Sequence, residues 1–332
     1  MVSTCRIGCA GCSACPATLP TIHVKGTLAV GGVSRAETER LEAAGKGVNV
    51  SRALAAHDIP TRAVAALDPA AAPRYEELLD VDGVLQVLPI AGVVRTNVTV
   101  VEPAGVVTKV NGPGPGYSPD EAKALVDGVA AALDGSSWVV LAGSLPPGCP
   151  ATTYATLVGE ARRRGCRVAL DTEGTPLRLG IEAGPDLVKP NREELQALTG
   201  FAIASVGDVA RAARALIALG AGVVLCSLGA EGAMLVTTDV CLHATVASGP
   251  VESHVGAGDA LLAGFLANMD EPDDVRLRRA VAWGTAACRL PGTQMPGPND
   301  IIIKEVNVNI TPNMAQPLLP VSVAARPSTA VA

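Results

Sequence analysis

Aromatic residues are scarce in this chain of 332 residues: Phe, Tyr and Trp together make up 2% of it, whereas 48% of the residues are hydrophobic. An interior with so few rings has to be built from Ala, Val and Leu side chains. Positive charge is also in short supply, because 26 Lys and Arg face 32 Asp and Glu and no basic run stands out. The net charge of −6 argues against nucleic acid or an anionic membrane surface as a partner.

A membrane-spanning run is also missing. The longest uncharged stretch, residues 135–159, contains three prolines and several glycines, which would break a helix. The first residues lack the basic-then-apolar pattern of a secretory signal. We therefore expect a cytoplasmic protein, with room for one large α/β domain or two smaller ones.

Nine cysteines are present, and they fall into two groups. Five are scattered after residue 148 and fit small buried side chains in a reducing compartment. The other four form a C-x3-C-x2-C-x2-C pattern that could hold a metal or an iron–sulfur cluster, although no second group of ligands accompanies it; they are Cys5, Cys9, Cys12 and Cys15. We treat residues 1–20 as an atypical N-terminal segment.

Helix and strand patterns alternate regularly from about residue 118 onward. This order predicts a three-layer α/β/α domain over residues 21–310, with a mostly parallel central sheet covered on both faces. Before it, Thr96–Val101 and Val106–Val110 flank a Glu-Pro-Ala-Gly turn and predict a hairpin. We expect a small β-sheet lid with strands near 22–42 and 93–112. The Pro- and Ala-rich residues 311–332 are predicted to be disordered.

The most informative segment is Gly256-Ala-Gly-Asp259, which leads into an apolar helix. Backbone N–H groups at a helix N-terminus lack intrahelical partners and attract anions. Gly256 and Gly258 would let a phosphate approach the backbone, and Asp259 brings a possible base to the same place. This combination indicates phosphoryl transfer to a hydroxyl. The alternative is a glycine turn whose acidic residue only stabilises the helix end.

Three further positions carry candidate ligands. In the glycine-rich turn that begins at Gly45, Lys46 could pair with a phosphate and Asn49 could bind a sugar hydroxyl. Arg95 and Lys109 place two cations on the predicted hairpin, either for a ligand or as a solvated edge. A third pair, Asn191 and Glu194, would share a helix face and could hold hydrated Mg²⁺. Helix capping is the alternative for that pair.

Six motifs stand in the same order as in the ribokinase-like (pfkB) family of carbohydrate kinases, which the chain resembles from about Thr21 to about Asp300. Within that family the chain is most similar to bacterial 1-phosphofructokinases and tagatose-6-phosphate kinases. The motifs are Ala43-Ala-Gly-Lys-Gly-Val-Asn-Val50, Arg95-Thr-Asn-Val98, Gly143-Ser-Leu-Pro-Pro-Gly148, Val188-Lys-Pro-Asn-Arg-Glu-Glu194, Ser227-Leu-Gly-Ala-Glu-Gly232 and Val255-Gly-Ala-Gly-Asp-Ala260.

The resemblance implies phosphorylation of fructose 1-phosphate at its 6-hydroxyl, or of tagatose 6-phosphate, with ATP and Mg²⁺. It implies that Asp259 is the base and that Gly256, Ala257 and Gly258 supply an anion hole. The implied nucleotide-binding residues are Lys189, Asn191, Ser227, Gly229, Gly232 and Gly258, and the implied metal-binding residues are Asn191 and Glu194. The implied sugar-phosphate ligands are Gly45, Lys46, Asn49, Arg95, Lys109 and Asp259. Exposed lid strands would also permit a homodimer.

The N-terminus departs from the family pattern. Relatives begin with a strand followed by Asn-Pro and a sugar-binding aspartate, and the corresponding positions here are Cys15, Pro16 and Leu19. Leucine cannot accept a hydrogen bond from a sugar hydroxyl, and residues 1–14 do not have a strand pattern. Three explanations stay open: a shifted reading frame or mis-called start, a divergent enzyme with weakened activity, or a protein that binds sugar phosphates without catalysis.

Overall fold

The computed structural model describes residues 12–13, 16–29, 31–79, 81–103, 106–247 and 249–320. These residues form a ten-stranded sheet, a four-stranded sheet and surrounding α-helices. The larger sheet runs, in spatial order, β14 (Val306–Asn309), β13 (Cys241–Val246), β12 (Ala233–Val236), β11 (Val223–Ser227), β10 (Leu187–Val188), β9 (Arg167–Asp171), β8 (Trp138–Ala142), β1 (Cys12–Ser13), β4 (Ala63–Leu67) and β5 (Leu85–Pro89).

The helices lie on both faces of this sheet, as the alternating pattern predicts. They are α1 (Lys46–Ala55), α2 (Ala72–Leu79), α3 (Pro119–Ala132), α4 (Thr153–Arg163), α5 (Gly174–Glu182), α6 (Arg192–Thr199), α7 (Val206–Leu219), α8 (Ala257–Leu266) and α9 (Asp273–Cys288). From β5 across to β11 the strands are parallel, and β12, β13 and β14 continue the sheet in antiparallel pairing. The predicted three-layer α/β/α architecture is confirmed.

Strand β8 shows why the core needs few rings. Val139 and Leu141 pack on the side that carries α3, α4, α5 and α7, whereas Val140 and Ala142 pack on the side of α1, α8 and α9. A central parallel strand is buried on both faces and therefore reads as a continuous apolar run. Small aliphatic side chains fill both layers. Because the central strands are parallel, their C-terminal ends lie at the same edge of the sheet.

The smaller sheet is the lid, and its strands are β3 (Ala36–Ala44), β2 (Ala17–Val24), β6 (Arg95–Val101) and β7 (Val107–Asn111), in that spatial order. The predicted hairpin is present as the antiparallel pair β6 and β7. Because side chains alternate along a strand, Arg95, Asn97 and Thr99 share one lid face. The strand register adds Leu19 and Glu42, which pair with each other, to that face.

The N-terminal segment differs from its prediction in two respects. Cys12 and Ser13 form a short strand between β4 and β8, so the first strand of the core sheet is present in reduced form. Residues 17–20, which we assigned to the atypical segment, belong to lid strand β2. Residues 1–11 and 14–15 lie outside the described residues, and the proposed four-cysteine site falls largely there. The five other cysteines are free and at least half-buried.

The prediction of a disordered tail is wrong for residues 311–320, which we call the C-terminal strap. Gly207 N donates to Met314 O at 2.9 Å, and Val206 N donates to Gln316 O at 3.0 Å. Leu318 N donates to Ala204 O at 2.8 Å, and the Leu318 side chain is buried in the core. Backbone pairing and one buried leucine therefore outweigh a Pro- and Ala-rich composition here.

Among the helices that the described residues form, none has the length and hydropathy of a transmembrane span.

Candidate active site

The N-terminus of α8 forms the centre of the candidate site. Gly256 caps this helix with φ of +81°, a conformation that favours glycine, and a Cβ there would lie 2.6 Å from Met295 Cε. The first N–H groups of α8 have no partner within the helix and carry its positive end. Asp259 lies in the same first turn and is only 6% exposed. The predicted phosphate turn, residues 256–258, and the predicted base therefore lie side by side at the start of α8.

The surroundings of Asp259 determine its protonation. Asn49 Nδ2, on the first turn of α1, donates a hydrogen bond of 2.8 Å to Asp259 Oδ2. Burial and the nearby charge of Asp171 raise the pKa of Asp259 to about 6, although Lys46, Asn49 and Lys189 act in the opposite direction. A carboxylate with a pKa near 6 is ionised at neutral pH and can still accept a proton, which suits a general base.

Asp171 is a central member of the site, and sequence reasoning missed it. It ends strand β9 and is 1% exposed, and its Oδ1 and Oδ2 lie 2.9 Å and 3.1 Å from the Nζ atoms of Lys46 and Lys189. Burial alone would raise the pKa of Asp171, but the two lysines hold it below its usual value. The same ion pair raises the pKa of Lys46 despite its burial. One signal in the sequence could have identified Asp171: it stands at the C-terminal end of a predicted parallel strand, where ligands bind in α/β sheets.

Lys189 links this ion pair to the phosphate turn. Its Nζ lies 3.3 Å from the point where a Cβ on Gly258 would sit, so the ammonium group lies against the start of α8. Lys46, Asp171, Lys189 and Asp259 thus form one cluster of two cations and two anions. Substrate phosphates that enter here would meet placed cations and a helix N-terminus, although the protein as a whole is acidic.

A cleft of about 660 Å³ opens beside the start of α8. Its lining includes five of the six predicted nucleotide-binding residues, namely Asn191, Ser227, Gly229, Gly232 and Gly258. The sixth, Lys189, lies behind Gly258 instead of in the cleft wall. Helices α8 and α9 contribute an apolar side with Leu261 and Val281. An apolar wall with a helix N-terminus at one end has the character of a nucleotide site.

Asn191 and Glu194 form a complete helix cap, which is the structural alternative raised for this pair. Asn191 Oδ1 accepts from Glu194 N at 2.8 Å, and Glu194 Oε2 accepts from Asn191 N at 2.9 Å. Burial raises the pKa of Glu194. Within the described ranges no group of three or more His, Cys, Asp or Glu residues could hold a metal. Asn191 and Glu194 could therefore bind Mg²⁺ only if substrate phosphates and waters completed the coordination shell of the ion, as is common for kinases.

Two of the predicted sugar-phosphate ligands, Arg95 and Lys109, lie on the lid. Arg95 donates from its terminal nitrogen to Ser144 Oγ at 3.1 Å, while Arg95 Nε and Asn97 Oδ1 are buried without a partner. Lys109 pairs with Thr99 and is exposed on the edge strand β7. Leu19 is buried on the same face. The face therefore offers cations and an unpaired acceptor to a ligand, but no carboxylate at position 19.

The C-terminal strap reaches the cleft beside α8. Leu319 and Pro320 line it, and Leu319 N donates to Glu231 Oε1 at 3.0 Å. On the other side of the same residue, Leu319 O accepts a hydrogen bond from the guanidinium of Arg192. Two cleft-lining side chains thus hold the strap against the cleft mouth, so the strap forms part of its wall.

Removal of the strap is expected to weaken ATP binding. A chain that ends at Asn313 should show a KM for ATP raised by about 5- to 30-fold, if the lost apolar wall contributes about 1–2 kcal/mol. A chain that ends at Pro320 is the matched control and should keep the wild-type KM. Because Leu318 is in the core, thermal melting of both chains must accompany the kinetics. An unchanged KM for ATP in a folded shorter chain would contradict the role of the strap.

This fold and site define a sugar kinase with the ribokinase-like architecture: a mostly parallel α/β/α body, a β-sheet lid, and an acidic residue at a glycine-bounded helix N-terminus. Residues 21–300 match the pfkB family of carbohydrate kinases. The chain therefore belongs to this family.

Relatives and solved structures agree with that assignment. The 1-phosphofructokinase of Rhodobacter capsulatus is 38% identical over 307 residues, which cover 88% of this chain and 94% of that protein. The 1-phosphofructokinase of Xanthomonas campestris is 36% identical over 282 residues, or 83% of this chain and 88% of that protein. The crystal structure of phosphofructokinase-2 from Escherichia coli in complex with substrates and products is 28% identical, with a TM-score of 0.80, covering 86% of this chain and 94% of that one.

Proposed function

We propose that this protein transfers a phosphoryl group from ATP to the 6-hydroxyl of fructose 1-phosphate, which yields fructose 1,6-bisphosphate and ADP. The observation that carries this proposal is the buried Asp259 at the N-terminus of α8, held by Asn49 and surrounded by Lys46 and Lys189. The relatives named 1-phosphofructokinase are 36% and 38% identical to the chain over the aligned residues, and they support the choice of substrate.

The groups of the candidate site have distinct roles in this scheme. Asp259 accepts the proton of the 6-hydroxyl as the hydroxyl oxygen attacks the terminal phosphorus of ATP, and ADP leaves with the electrons of the broken P–O bond. The N–H groups that follow Gly256 stabilise charge on the transferred group. Lys46 and Arg95 bind the phosphate already present on the sugar. A lid that closes over the sugar would exclude water and limit ATP hydrolysis.

Mg²⁺ belongs to this scheme as a partner of ATP. When bound, it would neutralise charge on the nucleotide phosphates. Among the residues of this chain, Asn191 and Glu194 are its candidate ligands, since Asn191 lines the cleft and Glu194 caps α6 beside it. Their mutual cap keeps Asn191 at the cleft wall, so their first role is to hold the start of α6 in place.

A coupled assay of ADP release against fructose 1-phosphate, tagatose 6-phosphate, fructose 6-phosphate and fructose tests the proposal. We expect the highest kcat/KM for fructose 1-phosphate and little activity on unphosphorylated fructose, because Lys46 and Arg95 need a phosphate partner. A higher kcat/KM for tagatose 6-phosphate would identify a tagatose-6-phosphate kinase instead. Tight binding of fructose 1-phosphate without ADP release would identify a non-catalytic binder, the alternative that Leu19 favours.

The activity is expected to depend on pH through Asp259. Its pKa is raised to about 6, and only the ionised carboxylate can accept the hydroxyl proton, so kcat/KM should fall as the pH drops below about 6. On that acid limb the loss approaches about tenfold per pH unit. A pH profile of kcat/KM for fructose 1-phosphate measures the midpoint and the slope of this acid limb. An acid limb with its midpoint near the ordinary aspartate value, about 4, would contradict the assignment.

We further propose that two copies of the chain pair through their lids. On the lid face that points away from the site, Leu41 on β3 and Val110 on β7 are exposed, with Val98 half-buried between them. An exposed apolar sheet face with an open edge strand invites pairing. Light scattering of the native protein and of a Val110→Lys variant tests this, since the variant should shift the mass toward one chain. The same molar mass for the native protein and for the variant would reject pairing through the lids.

A further inference from the structure

Lid strand β3 meets the body of the protein at Glu42. The strand is exposed along its first six residues and buried only at Glu42, Ala43 and Ala44, just before the turn into α1. Tyr75 donates from its hydroxyl to Ala44 O at 2.7 Å and fixes this end of the strand. Glu42 itself is 3% exposed. A carboxylate is rarely buried to this extent unless it has firm partners, so its partners indicate its role.

The main partner of Glu42 is a turn that we call the anchor turn, residues 291–296. Thr293 N donates to both carboxylate oxygens, at 3.3 Å and 3.2 Å. Gly292 has φ of +61°, and a Cβ there would lie 2.2 Å from Glu42 Oε2, so the carboxylate sits directly against the backbone of the turn. The guanidinium of Arg40 lies 3.6 Å from Oε1.

Two further elements hold the anchor turn. Arg52, on α1, donates to Thr293 O at 3.3 Å, and Ser253 Oγ donates to Gly292 O at 2.8 Å. The backbone of residues 292 and 293 thus forms hydrogen bonds with three elements: the lid, the helix α1 that carries Asn49, and the segment before α8. Each of these elements contributes to the candidate active site.

The contacts continue from the anchor turn to the phosphate turn. Val255 N donates to Ser253 Oγ at 3.1 Å, and Val255 directly precedes Gly256. From the other direction, the Met295 methyl group packs so closely on Gly256 that a Cβ would meet it. A connected path therefore runs from the lid at Glu42, through the anchor turn and Ser253, to the helix N-terminus beside Asp259.

We propose that Glu42 is a positioning residue that couples the lid to the phosphate turn. The inference rests on the proposed kinase function. When the lid closes on the sugar phosphate, Glu42 fixes the position of the anchor turn. The anchor turn then fixes the backbone position of Val255 and Gly256. The N–H groups after Gly256 are then oriented for the transferred phosphoryl group only when the acceptor is enclosed. Phosphoryl transfer is thereby favoured over ATP hydrolysis, because orientation of the donors determines how strongly they stabilise the developing charge.

A direct contact of Glu42 with the sugar is the competing interpretation. Glu42 pairs in register with Leu19, where the family pattern has an aspartate, so a carboxylate does stand one strand away from that position. Both of its oxygens, however, are directed to Thr293 N, and the backbone of Gly292 covers one of them. The carboxylate is therefore committed to the anchor turn, and we assign it to positioning.

The test compares Glu42→Ala, Glu42→Gln and Glu39→Gln. Glu39 is the matched control, because it lies on the same strand, pairs with Ile22, points from the other lid face and is exposed. In Glu42→Ala we expect kcat to fall about tenfold or more while the KM for ATP changes by less than about twofold. The ratio of sugar-independent ATP hydrolysis to transfer should rise. Glu42→Gln should lose less, since its amide oxygen can still accept from Thr293 N, and Glu39→Gln should match the wild type.

A second measurement does not depend on activity. Amide hydrogen exchange should become faster at residues 253–258 and 291–296 in Glu42→Ala and should stay unchanged in Glu39→Gln. If Glu42 only stabilised the fold, its loss would lower the melting temperature without a selective change at 253–258. A kcat within about twofold of wild type together with unchanged exchange at 253–258 would overturn the coupling.

Two controls separate the possible failures. If the wild-type protein transfers no phosphoryl group to any sugar phosphate, the proposed function fails, whereas the exchange comparison still tests the path from Glu42 to Gly256. If Glu42→Ala does not fold, Ser253→Ala interrupts the same path at its other end. That variant should show the same faster exchange at residues 255–258, and unchanged exchange there would equally overturn the proposal.

Discussion

Replacement of Asp259 by asparagine is expected to lower kcat by roughly 10²- to 10⁴-fold, because an amide cannot accept the proton of the sugar hydroxyl. The substitution keeps the volume of the side chain, and its amide oxygen can still accept the hydrogen bond from Asn49. Binding of ATP and of the sugar phosphate should change much less than turnover. Steady-state kinetics with a coupled ADP assay, together with calorimetric binding of each substrate, measures both effects.

The same variant is expected to be more stable than the wild type at neutral pH. The pKa of Asp259 is raised to about 6 in the folded protein, so the folded state holds its proton more tightly than the unfolded chain does. Its ionisation therefore destabilises the fold above pH 6, and this cost disappears as the pH falls from 6 toward the ordinary aspartate value. Asparagine removes the cost. Asp270→Asn, at an exposed position, is the control for both effects. Near-normal turnover of Asp259→Asn would remove Asp259 from the mechanism.

Replacement of Asp171 by alanine is expected to destabilise the fold by about 3–5 kcal/mol, because it leaves two lysines without their common buried partner. Lys189 is only 6% exposed and cannot recover full hydration. Lys46 and Lys189 would also lose the geometry that presents them to the substrate phosphates, so kcat/KM should fall as well. Urea denaturation measured at neutral pH, with the kinetics of the surviving folded fraction, tests this expectation.

A surface ion pair provides the comparison for Asp171. Lys123 and Asp127 form an exposed pair on α3, and Asp127→Ala should lower the free energy of unfolding far less than Asp171→Ala, because solvent screens an exposed pair. The pKa of Asp171 is depressed, so its stabilisation is present at neutral pH and is lost as the pH falls through the folded pKa, below 3.8. A loss for Asp171→Ala no larger than that for Asp127→Ala would show that the buried ion pair contributes little.

Local sequence patterns predicted those features that depend on neighbouring residues. The core strand Trp138–Ala142 is apolar at every position, and a strand buried on both faces needs this pattern. The hairpin of β6 and β7 followed from two β-rich runs that flank a Glu-Pro-Ala-Gly turn. The turn at Gly256 was readable because glycines and a following apolar helix are close together in the chain. The chain's resemblance to its family then placed Lys46, Asn49 and Arg95 at one site.

Features that depend on distant residues were not readable in this way. Asp171 ends one of several apolar strands, and nothing near it in the chain shows that Lys46 and Lys189 will meet its two oxygens. Glu42 stands in a polar, exposed strand, and its partner Thr293 is more than two hundred residues away. The C-terminal strap has the composition of a loose tail, yet it pairs with the start of α7. In each case the decisive partner comes from a remote segment.

The sequence by itself determined the class of fold, the phosphate turn with its aspartate, and the chemistry that such a turn can support. These follow from periodicity, glycine placement and residue type, all of which are local properties of the chain. The tertiary structure alone decided that the aspartate is buried with a pKa of about 6, that a second aspartate joins two lysines beside it, and that Glu42 joins the lid to the anchor turn. Burial and ion pairing arise only when distant strands and helices pack together, because each group's charge is set by neighbours that the linear sequence does not place near it.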